Sequence, residues 1–474
     1  MRRGPGLRRD QSMKTVARPH HFLVLAGLLA GLALAMSALL PARQPPPRHL
    51  TLHHEKLGPV DVLAPSGEPD AFIVLLSDGQ GLTAALQSAS ERLVKRGAAV
   101  ALLSSPHLLA ALDAGARTGC HYALGLFEEF SQTAQRDLGV TTYRRPVIVG
   151  SGLGGTLAFL SDTQAPANTI AGAVSLGFDP SLNPRLPFCG ADSVRSADGS
   201  VTYRPPARLP AHWIAIPDGV GAGALTALAR SGSVGELRPA GTDRLETAAD
   251  AALEIAHLDA GNGVQDVPVE EIPAREADTL VVFYSGDGGW RDIDKRISDY
   301  LSRNGVAVVG VDSLRYFWRR KSPAQIGTDL DQLIARYKRR WNVRHVALVG
   351  YSMGAGVLPF AWSNLQHSTH ETIKLVALLS LDPKASFEIS VSGYLGMNND
   401  SDVGIEPAVK TMPLDRVMCF YGAEERNPGQ SGCLGPAMTG ATLVERPGGH
   451  HFDGNYEPIA RMILGRLKSA PHSF

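Results

Sequence analysis

Residues 345–354 read HVALVGYSMG and decide the fold class of this chain. An apolar run leads into the pattern Gly350-Tyr351-Ser352-Met353-Gly354, and a helical stretch follows it. This G-x-S-x-G pattern is typical of a nucleophile elbow, a sharp turn from a strand into a helix that exposes a serine hydroxyl. Small residues two positions before and after the serine let the strand and the helix approach closely. The stretch therefore predicts an α/β-hydrolase domain with Ser352 as its nucleophile.

The first half of the chain repeats the pattern of the second half. Residues 146–155 read PVIVGSGLGG, so Gly152 stands where Ser352 stands in the second copy. Each half also has an apolar run followed by a glycine-rich loop, at Ser77–Gly81 and at Ser285–Trp290. Strands that alternate with helices predict a mostly parallel sheet covered on both faces. The sequence predicts two tandem, doubly wound α/β-hydrolase-like domains, of which the first lacks a nucleophile.

Composition shifts predict four segments. Residues 1–48 form a signal peptide or membrane anchor with a proline-rich tether, and residues 49–260 form the domain without a nucleophile. The polar stretch 261–275 is a linker, and residues 276–474 form the catalytic domain.

The N-terminal segment predicts export. The apolar, uncharged run Phe22–Leu40 would span about 28 Å as a helix, close to a bilayer's hydrocarbon thickness of about 30 Å. Basic residues before such a run hold that end in the cytoplasm and send the remainder across the membrane. A cleaved signal peptide and an uncleaved anchor are both consistent with this pattern. The basic residues are Arg2, Arg3, Arg8, Arg9, Lys14 and Arg18.

Net charge, motifs and cysteine count indicate which binding partners, cofactors and disulfides to expect. The formal net charge is +0, so the whole molecule is not expected to attract nucleic acid. No phosphate-binding glycine motif and no metal-ligand spacing is present, so no nucleotide, metal or other cofactor is predicted. The 4 cysteines of an exported chain predict two disulfides. The simplest of the possible pairings is local, Cys120–Cys189 and Cys419–Cys433.

A serine nucleophile needs a histidine base, which follows the acid in the chain order of this fold class. Residues 448–453 read GGHHFD and offer two histidines in a glycine-rich loop. The common G-x-x-H spacing favours His451, and His450 is the alternative.

The acid is expected just after the strand that precedes this loop. Val417–Tyr421 is an apolar run, and Glu424 and Glu425 follow it after a glycine and an alanine. Glu425 is favoured, Glu424 is its rival, and Asp382 is an outside candidate. The carboxylate would hold the imidazole's tautomer and stabilise its cation.

Backbone N–H groups are expected to stabilise the oxyanion. The donors predicted are those of Met353 and of Asp287, which lies in the loop Ser285–Trp290. Substrate contacts are predicted for Asp287, Trp290, Trp318 and Arg319. The last two belong to the run RYFWRRK at 315–321, which reads either as a solvated basic face or as a surface that rests on anionic lipid headgroups.

Together these residues resemble the bacterial VirJ/AcvB virulence-protein family. The resemblance is carried by Ser285–Trp290, Tyr316-Phe317-Trp318 with Ser322-Pro323, Gly350–Phe360 and His450–Tyr456, and it covers the second half closely. Longer, AcvB-like members also carry a divergent N-terminal half. The resemblance implies a periplasmic enzyme at the membrane surface that hydrolyses the aminoacyl ester of aminoacyl-phosphatidylglycerol, an anionic phospholipid, with the lysyl form favoured.

Two other functions stay open at the level of sequence. The domain without a nucleophile favours a non-enzymatic periplasmic scaffold of a secretion machinery, whereas the serine motif alone is equally consistent with a general lipase or thioesterase. For the aminoacyl-lipid esterase, the carboxylates of Asp287, Asp292 or Asp294 are expected to attract a lysyl ammonium.

Overall fold

The computed structural model describes residues 46–115, 118–166, 168–206, 208–218, 235–260, 263–264, 267–389, 402–427 and 429–469. Residues 47–474 belong to one compact unit. The predicted membrane segment Phe22–Leu40 lies outside the described residues. Within the described ranges, no helix combines the length and the apolar character that crossing a bilayer requires.

The first half is built on β1 to β11. Its strands are β1 Arg48–His54, β2 Gly58–Ala64, β3 Ala71–Leu76, β4 Ala98–Leu103, β5 Val147–Ser151, β6 Gly172–Leu176, β7 Ser181–Leu182, β8 Asp192–Arg195, β9 Val201–Arg204, β10 His212–Ile216 and β11 Glu236–Leu237. Eight of them form one sheet in the order β1-β2-β4-β3-β5-β6-β10-β11, and β7, β9 and β8 form a small separate sheet.

The second half repeats this arrangement with β12 to β21. Its strands are β12 Gly263–Val264, β13 Val267–Ile272, β14 Thr279–Tyr284, β15 Val306–Val311, β16 His345–Tyr351, β17 Ile373–Leu379, β18 Lys384–Ala385, β19 Val403–Gly404, β20 Val417–Gly422 and β21 Thr442–Arg446. The main sheet has the order β12-β13-β15-β14-β16-β17-β20-β21, and β18 pairs with β19.

The two main sheets share their strand order and their strand directions. In each sheet, the strand in second position is antiparallel to both neighbours, and all strands beyond it run parallel to one another. In each, the third strand along the chain also lies between the fourth and the fifth. These are features of the α/β-hydrolase fold. The predicted fold class is confirmed for both halves.

Helices cover both faces of each sheet. In β14, Leu280 and Val282 belong to one hydrophobic core, whereas Val281 and Phe283 belong to the core on the opposite face. Successive side chains of a strand point to opposite faces, so an uninterrupted apolar run is buried on both sides. The helices are α1 Ala84–Lys95, α2 Ser105–Gly115, α3 Leu124–Asp137, α4 Leu153–Gln164, α5 Arg244–Ala260, α6 Asp292–Arg303, α7 Ser313–Tyr316, α8 Pro323–Trp341, α9 Met353–Trp362, α10 His367–Thr372, α11 Glu406–Val409 and α12 Glu457–Ser469.

The stretch predicted as a linker is largely part of the second sheet. Residues 267–272 form β13, which pairs antiparallel with β15. Val267 and Val269 are buried in the core of the second half. The linker prediction is wrong for these residues, because the polar and proline residues around them hid a short strand with alternating apolar side chains. The other segment boundaries stay predictions.

Both predicted disulfides are present. Cys120 pairs with Cys189 across 69 residues of sequence, and Cys419 pairs with Cys433 across 14. Disulfides persist in oxidising compartments and are rare in the cytosol, so the two bridges indicate an exported protein.

Candidate active site

Ser352 occupies the turn between β16 and α9. Its φ of 51° and ψ of −113° lie in a region that L side chains rarely adopt, and its N–H donates to the carbonyl of Leu379. The flanking glycines explain the tight turn. A Cβ on Gly350 would lie 2.5 Å from the carbonyl oxygen of Gly354, and one on Gly354 would lie 2.2 Å from that of Tyr284. Only glycine fits at these two positions.

His450 bridges Ser352 and Glu425. Its Nε2 lies 2.9 Å from Ser352 Oγ, and its Nδ1 lies 2.9 Å from Glu425 Oε1. The second carboxylate oxygen of Glu425 accepts a hydrogen bond from the Gly422 N–H at 3.0 Å. A carboxylate that fixes one imidazole nitrogen while the other faces a serine hydroxyl is the arrangement of a Ser-His-acid triad.

His451, favoured on spacing, does not reach the serine, and that preference is wrong in this structure. Its Nδ1 lies 2.8 Å from the Tyr351 hydroxyl instead. The carbonyl of its neighbour His450 accepts a hydrogen bond from Ser380 Oγ at 2.7 Å, which fixes the loop with the His450 ring over Ser352. Burial, and the charge of the adjacent His450, lower the pKa of His451. His451 therefore lines the site with its ring against Tyr351 rather than against Ser352 Oγ.

Glu425, rather than Glu424, contacts His450. Glu424 is exposed, and its backbone N–H donates to the carbonyl of Gly448. Asp382 is also exposed and makes no described hydrogen bond to His450. A Cβ on Gly422 would lie 2.4 Å from the carbonyl oxygen of Gly449, so the end of β20 packs directly against the histidine loop.

The residues predicted to donate to the oxyanion lie beside Ser352. Met353 is the first residue of α9, where backbone N–H groups have no partner within the helix. Asp287 and Ser352 line the same cavity. The loop that contains Asp287 is fixed by Ser313. Ser313 Oγ donates to the Ser285 carbonyl at 2.7 Å, and the Ser313 N–H donates to the Ser285 hydroxyl at 2.9 Å. The assignment of these two N–H groups to an oxyanion hole stays a prediction.

A cavity of about 490 Å³ opens above Ser352. This volume lies within the range of small-molecule sites. Its ionisable side chains have both signs, because Asp287 and Asp292 are exposed carboxylates and Arg291 is a cation. Burial raises the pKa of Asp294 well above its ordinary value, which favours the uncharged form of this carboxyl. The lining residues are Pro166, Gly286, Asp287, Gly288, Gly289, Arg291, Asp292, Ile293, Asp294, Tyr351, Ser352, His450, His451 and Tyr456.

The second half matches a known protein family over most of its length. Residues 278–471 match the family model described as bacterial virulence protein (VirJ). This half is VirJ-like. The match includes Ser352, Glu425 and His450, and it confirms the resemblance seen in the sequence over these residues. No curated protein matches the chain.

The solved structures similar to the chain have low sequence identity to it. The esterase Est1E from Butyrivibrio proteoclasticus is 14% identical with a TM-score of 0.31, and the match covers 44% of this chain and 98% of that one. MenH from S. aureus is 15% identical with a TM-score of 0.31, covering 43% and 98%. Dienelactone hydrolase from Anabaena variabilis is 14% identical with a TM-score of 0.32, covering 44% and 95%.

The aromatic residues predicted to contact substrate are buried in the VirJ-like half. Trp290 is 2% exposed and packs edge-on against Phe283. Trp318 is fully buried and its ring centroid lies 4.9 Å from that of Tyr143, a residue of the first half. Both substrate-contact predictions are wrong, because these rings complete cores rather than a lipid-facing surface.

Arg319 is exposed but does not line the cavity above Ser352. Its Nη2 donates to the carbonyl of Gly139 in the first half at 2.8 Å. Trp318 is tied to the same segment, since its Nε1–H donates to the carbonyl of Val140 at 2.9 Å. Trp318 and Arg319 therefore contact the first half, and the predicted substrate contact of Arg319 has no support in the structure.

Several residues of the site are absent from the sequence prediction, among them Arg291, Tyr351, Ser380 and Pro166. Tyr351 holds His451 and Ser380 holds the carbonyl of His450. Tyr351 lay inside the quoted motif, so its place beside the nucleophile was readable from the sequence. No sequence pattern marks Ser380 or Pro166 as site residues, because both are distant from the serine motif in sequence and only the folding of the chain brings them to the site.

Proposed function

We propose that this chain is an exported serine esterase that hydrolyses the aminoacyl ester of aminoacyl-phosphatidylglycerol, with the lysyl form favoured. The observation that carries the proposal is the position of His450, 2.9 Å from both Ser352 Oγ and Glu425 Oε1. The match of residues 278–471 to the VirJ family model supports the substrate class that the resemblance implies.

The first half-reaction forms an acyl-enzyme. His450 Nε2 takes the proton of Ser352 Oγ as the oxygen attacks the aminoacyl carbonyl carbon. The negative oxygen of the tetrahedral intermediate faces the N–H groups of Met353 and Asp287. Collapse breaks the ester bond, the leaving glycerol oxygen takes the proton from His450, and phosphatidylglycerol departs.

The second half-reaction frees the amino acid. Water loses a proton to His450 and attacks the acyl carbon, and the proton then returns to Ser352 Oγ. Glu425 stabilises the imidazolium that forms in both half-reactions and keeps Nδ1 protonated. The serine is regenerated without any cofactor.

The cavity supports a cationic acyl group. The exposed carboxylates of Asp287 and Asp292 lie in one cavity with Ser352 and would attract the ammonium groups of a lysyl ester. Asp294 is the least suited of the three carboxyls predicted for this role, because it is 1% exposed and burial raises its pKa. The two disulfides and the run Phe22–Leu40 support a periplasmic enzyme that works at the inner membrane surface.

The test uses purified protein and mixed micelles of lysyl-phosphatidylglycerol. We expect release of free lysine by the natural protein and none by Ser352→Ala. Hydrolysis of fatty-acyl esters or thioesters without lysine release would instead favour a general lipase or thioesterase. Absence of hydrolysis, together with absence of labelling by a fluorophosphonate, would favour the scaffold.

A further inference from the structure

The cavity above Ser352 is not built by the VirJ-like half alone. Pro166, which follows α4 of the first half, lines it together with Ser352 and His450. Every other lining residue belongs to the second half. The half without a nucleophile therefore closes one wall of the cavity that holds the nucleophile.

A second contact joins the first half to a lining residue. Arg291 lines the cavity, and its Nη2 forms an ion pair with Glu128 of α3. The two side chains are 24% and 12% exposed, so the pair is largely shielded from water. Arg291 Nε is buried and has no hydrogen-bond partner among the described residues. One arm of the guanidinium is thus anchored while an N–H group remains unused.

The elements that carry Pro166 and Glu128 are tied to one another. The side-chain amide of Gln164, at the end of α4, donates to the carbonyl of His121 at 2.9 Å and accepts from the N–H of Ala123 just before α3. The adjacent Cys120–Cys189 disulfide fixes the same segment. Because α3 and α4 are joined in this way, Pro166, which lines the cavity, and Glu128, which pairs with Arg291, belong to one connected part of the first half.

We propose that the half without a nucleophile completes the substrate site, with Glu128 positioning Arg291 in the Ser352 cavity so that the cavity selects esters bearing a negative group. The inference rests on the proposed function, since the phosphodiester of aminoacyl-phosphatidylglycerol is such a group. Arg291 is the specificity-determining residue, and Glu128 is a positioning residue that acts through it.

The charged side chains of the cavity fit a substrate that carries both a positive and a negative group. A guanidinium has five N–H donors in a planar fork that matches phosphate oxygens, and one carboxylate partner leaves several of them unused. Asp287 and Asp292 provide the opposite charge in the same cavity. An ester with an ammonium in its acyl part and a phosphodiester in its alcohol part would meet both. A cation held by its own side-chain partner loses less conformational freedom on binding than a free one.

The test compares two esters with the same acyl group. Lysyl-phosphatidylglycerol in mixed micelles has a phosphodiester, whereas lysine ethyl ester has none. We expect Arg291→Gln to lower the ratio of kcat/KM for the lipid over the ethyl ester by about 10- to 100-fold, the effect of losing a charge-assisted hydrogen bond. Glu128→Gln should lower the same ratio by about 3- to 10-fold through a higher KM.

Matched controls are Arg303→Gln, an exposed arginine at the other end of α6, and Glu129→Gln, the glutamate next to Glu128. Both should leave the ratio unchanged. If the natural protein cleaves both esters but neither Arg291→Gln nor Glu128→Gln alters the ratio, the inference is overturned and the proposed function stands. A change with Arg291→Gln alone overturns the role of the first half. A natural protein that a fluorophosphonate does not label contradicts the proposed function itself.

Discussion

Gly152 and Ser352 have the same backbone conformation, with φ 51° and ψ −116° at the glycine and φ 51° and ψ −113° at the serine. Each N–H donates to the carbonyl at the end of the adjacent strand, Leu176 at 2.8 Å and Leu379 at 2.9 Å. The first half has thus kept the elbow without the hydroxyl. The turn is set by the close approach of strand and helix at the flanking glycines, so its conformation does not depend on the serine side chain.

Restoring a serine to the first elbow should not restore activity. In the variant Gly152→Ser with Ser352→Ala, we expect no labelling by a fluorophosphonate, because Thr242-Asp243 stands where the second half has its two histidines. The added side chain at a positive φ should also lower the free energy of unfolding by about 1–3 kcal/mol, measured by thermal unfolding against Ser352→Ala alone. A label on the introduced serine would show that the first half supplies a base of its own.

Glu425 and Glu424 are adjacent carboxylates with different expected effects. Glu425→Gln should lower kcat for lysyl-phosphatidylglycerol by about 10³- to 10⁴-fold, because an amide cannot stabilise the imidazolium of His450 and favours the wrong tautomer. Glu424→Gln is the matched control and should stay within about threefold of the natural protein, since its exposed side chain does not contact His450. Equal losses in the two variants, measured by lysine release, would argue against the assignment of the acid.

Trp318 distinguishes a contact between the halves from a lipid contact. Trp318→Phe removes the hydrogen bond to the Val140 carbonyl and part of the ring that packs on Tyr143. We expect a loss of about 1–3 kcal/mol in the free energy of unfolding and unchanged co-sedimentation with phosphatidylglycerol vesicles. Weaker vesicle binding at unchanged stability would restore the lipid-facing interpretation. The exposed neighbour Arg320→Gln serves as the control for stability.

We expect the buried Asp162 carboxyl to make the free energy of unfolding depend on pH. Burial raises its pKa to about 7, whereas in the unfolded chain an aspartate has a pKa of about 3.9. Between these values the folded state holds a proton that the unfolded state has lost, so stability falls as pH rises from about 4 to about 7, by at most about 1.4 kcal/mol per pH unit. Above pH 7 this contribution is constant.

Asp162→Asn should remove that slope. The amide keeps an acceptor for the Ala211 N–H, which Asp162 Oδ1 accepts at 3.0 Å, but carries no charge at any pH. We therefore expect the variant to be more stable than the natural protein at pH 8 and similar to it at pH 4, in urea unfolding followed at several pH values. A variant with the same slope as the natural protein would show that another group titrates.

The fold class could be predicted from the sequence because the patterns that indicate it lie within short segments. The glycines around Ser352 are required by a backbone approach closer than any Cβ permits, so the motif predicts its own geometry. Both disulfide pairs also followed from proximity in sequence. The repeat of the first half was visible for the same reason, since Gly150 and Gly154 meet the same constraint there.

The wrong predictions within the site concern contacts between distant segments. Whether His450 or His451 faces the serine depends on the hydroxyls of Ser380 and Tyr351, which lie on other strands or at their ends. The burial of Trp318 depends on Tyr143 in the other half of the chain. A pattern within one segment carries no information about such partners. Spacing therefore favours His451 over His450, and the aromatic and basic residues 315–321 wrongly predict a surface.

The central claim is that His450, held by Glu425, activates Ser352. The most direct measurement is the rate of fluorophosphonate labelling, with the modified peptide identified by mass spectrometry, in the natural protein, His450→Gln and His451→Gln. We expect Ser352 to be the labelled residue, the rate to fall by about three orders of magnitude or more in His450→Gln, and the rate of His451→Gln to stay within about tenfold of the natural protein. Rapid labelling of His450→Gln, or a label on a residue other than Ser352, would contradict the account.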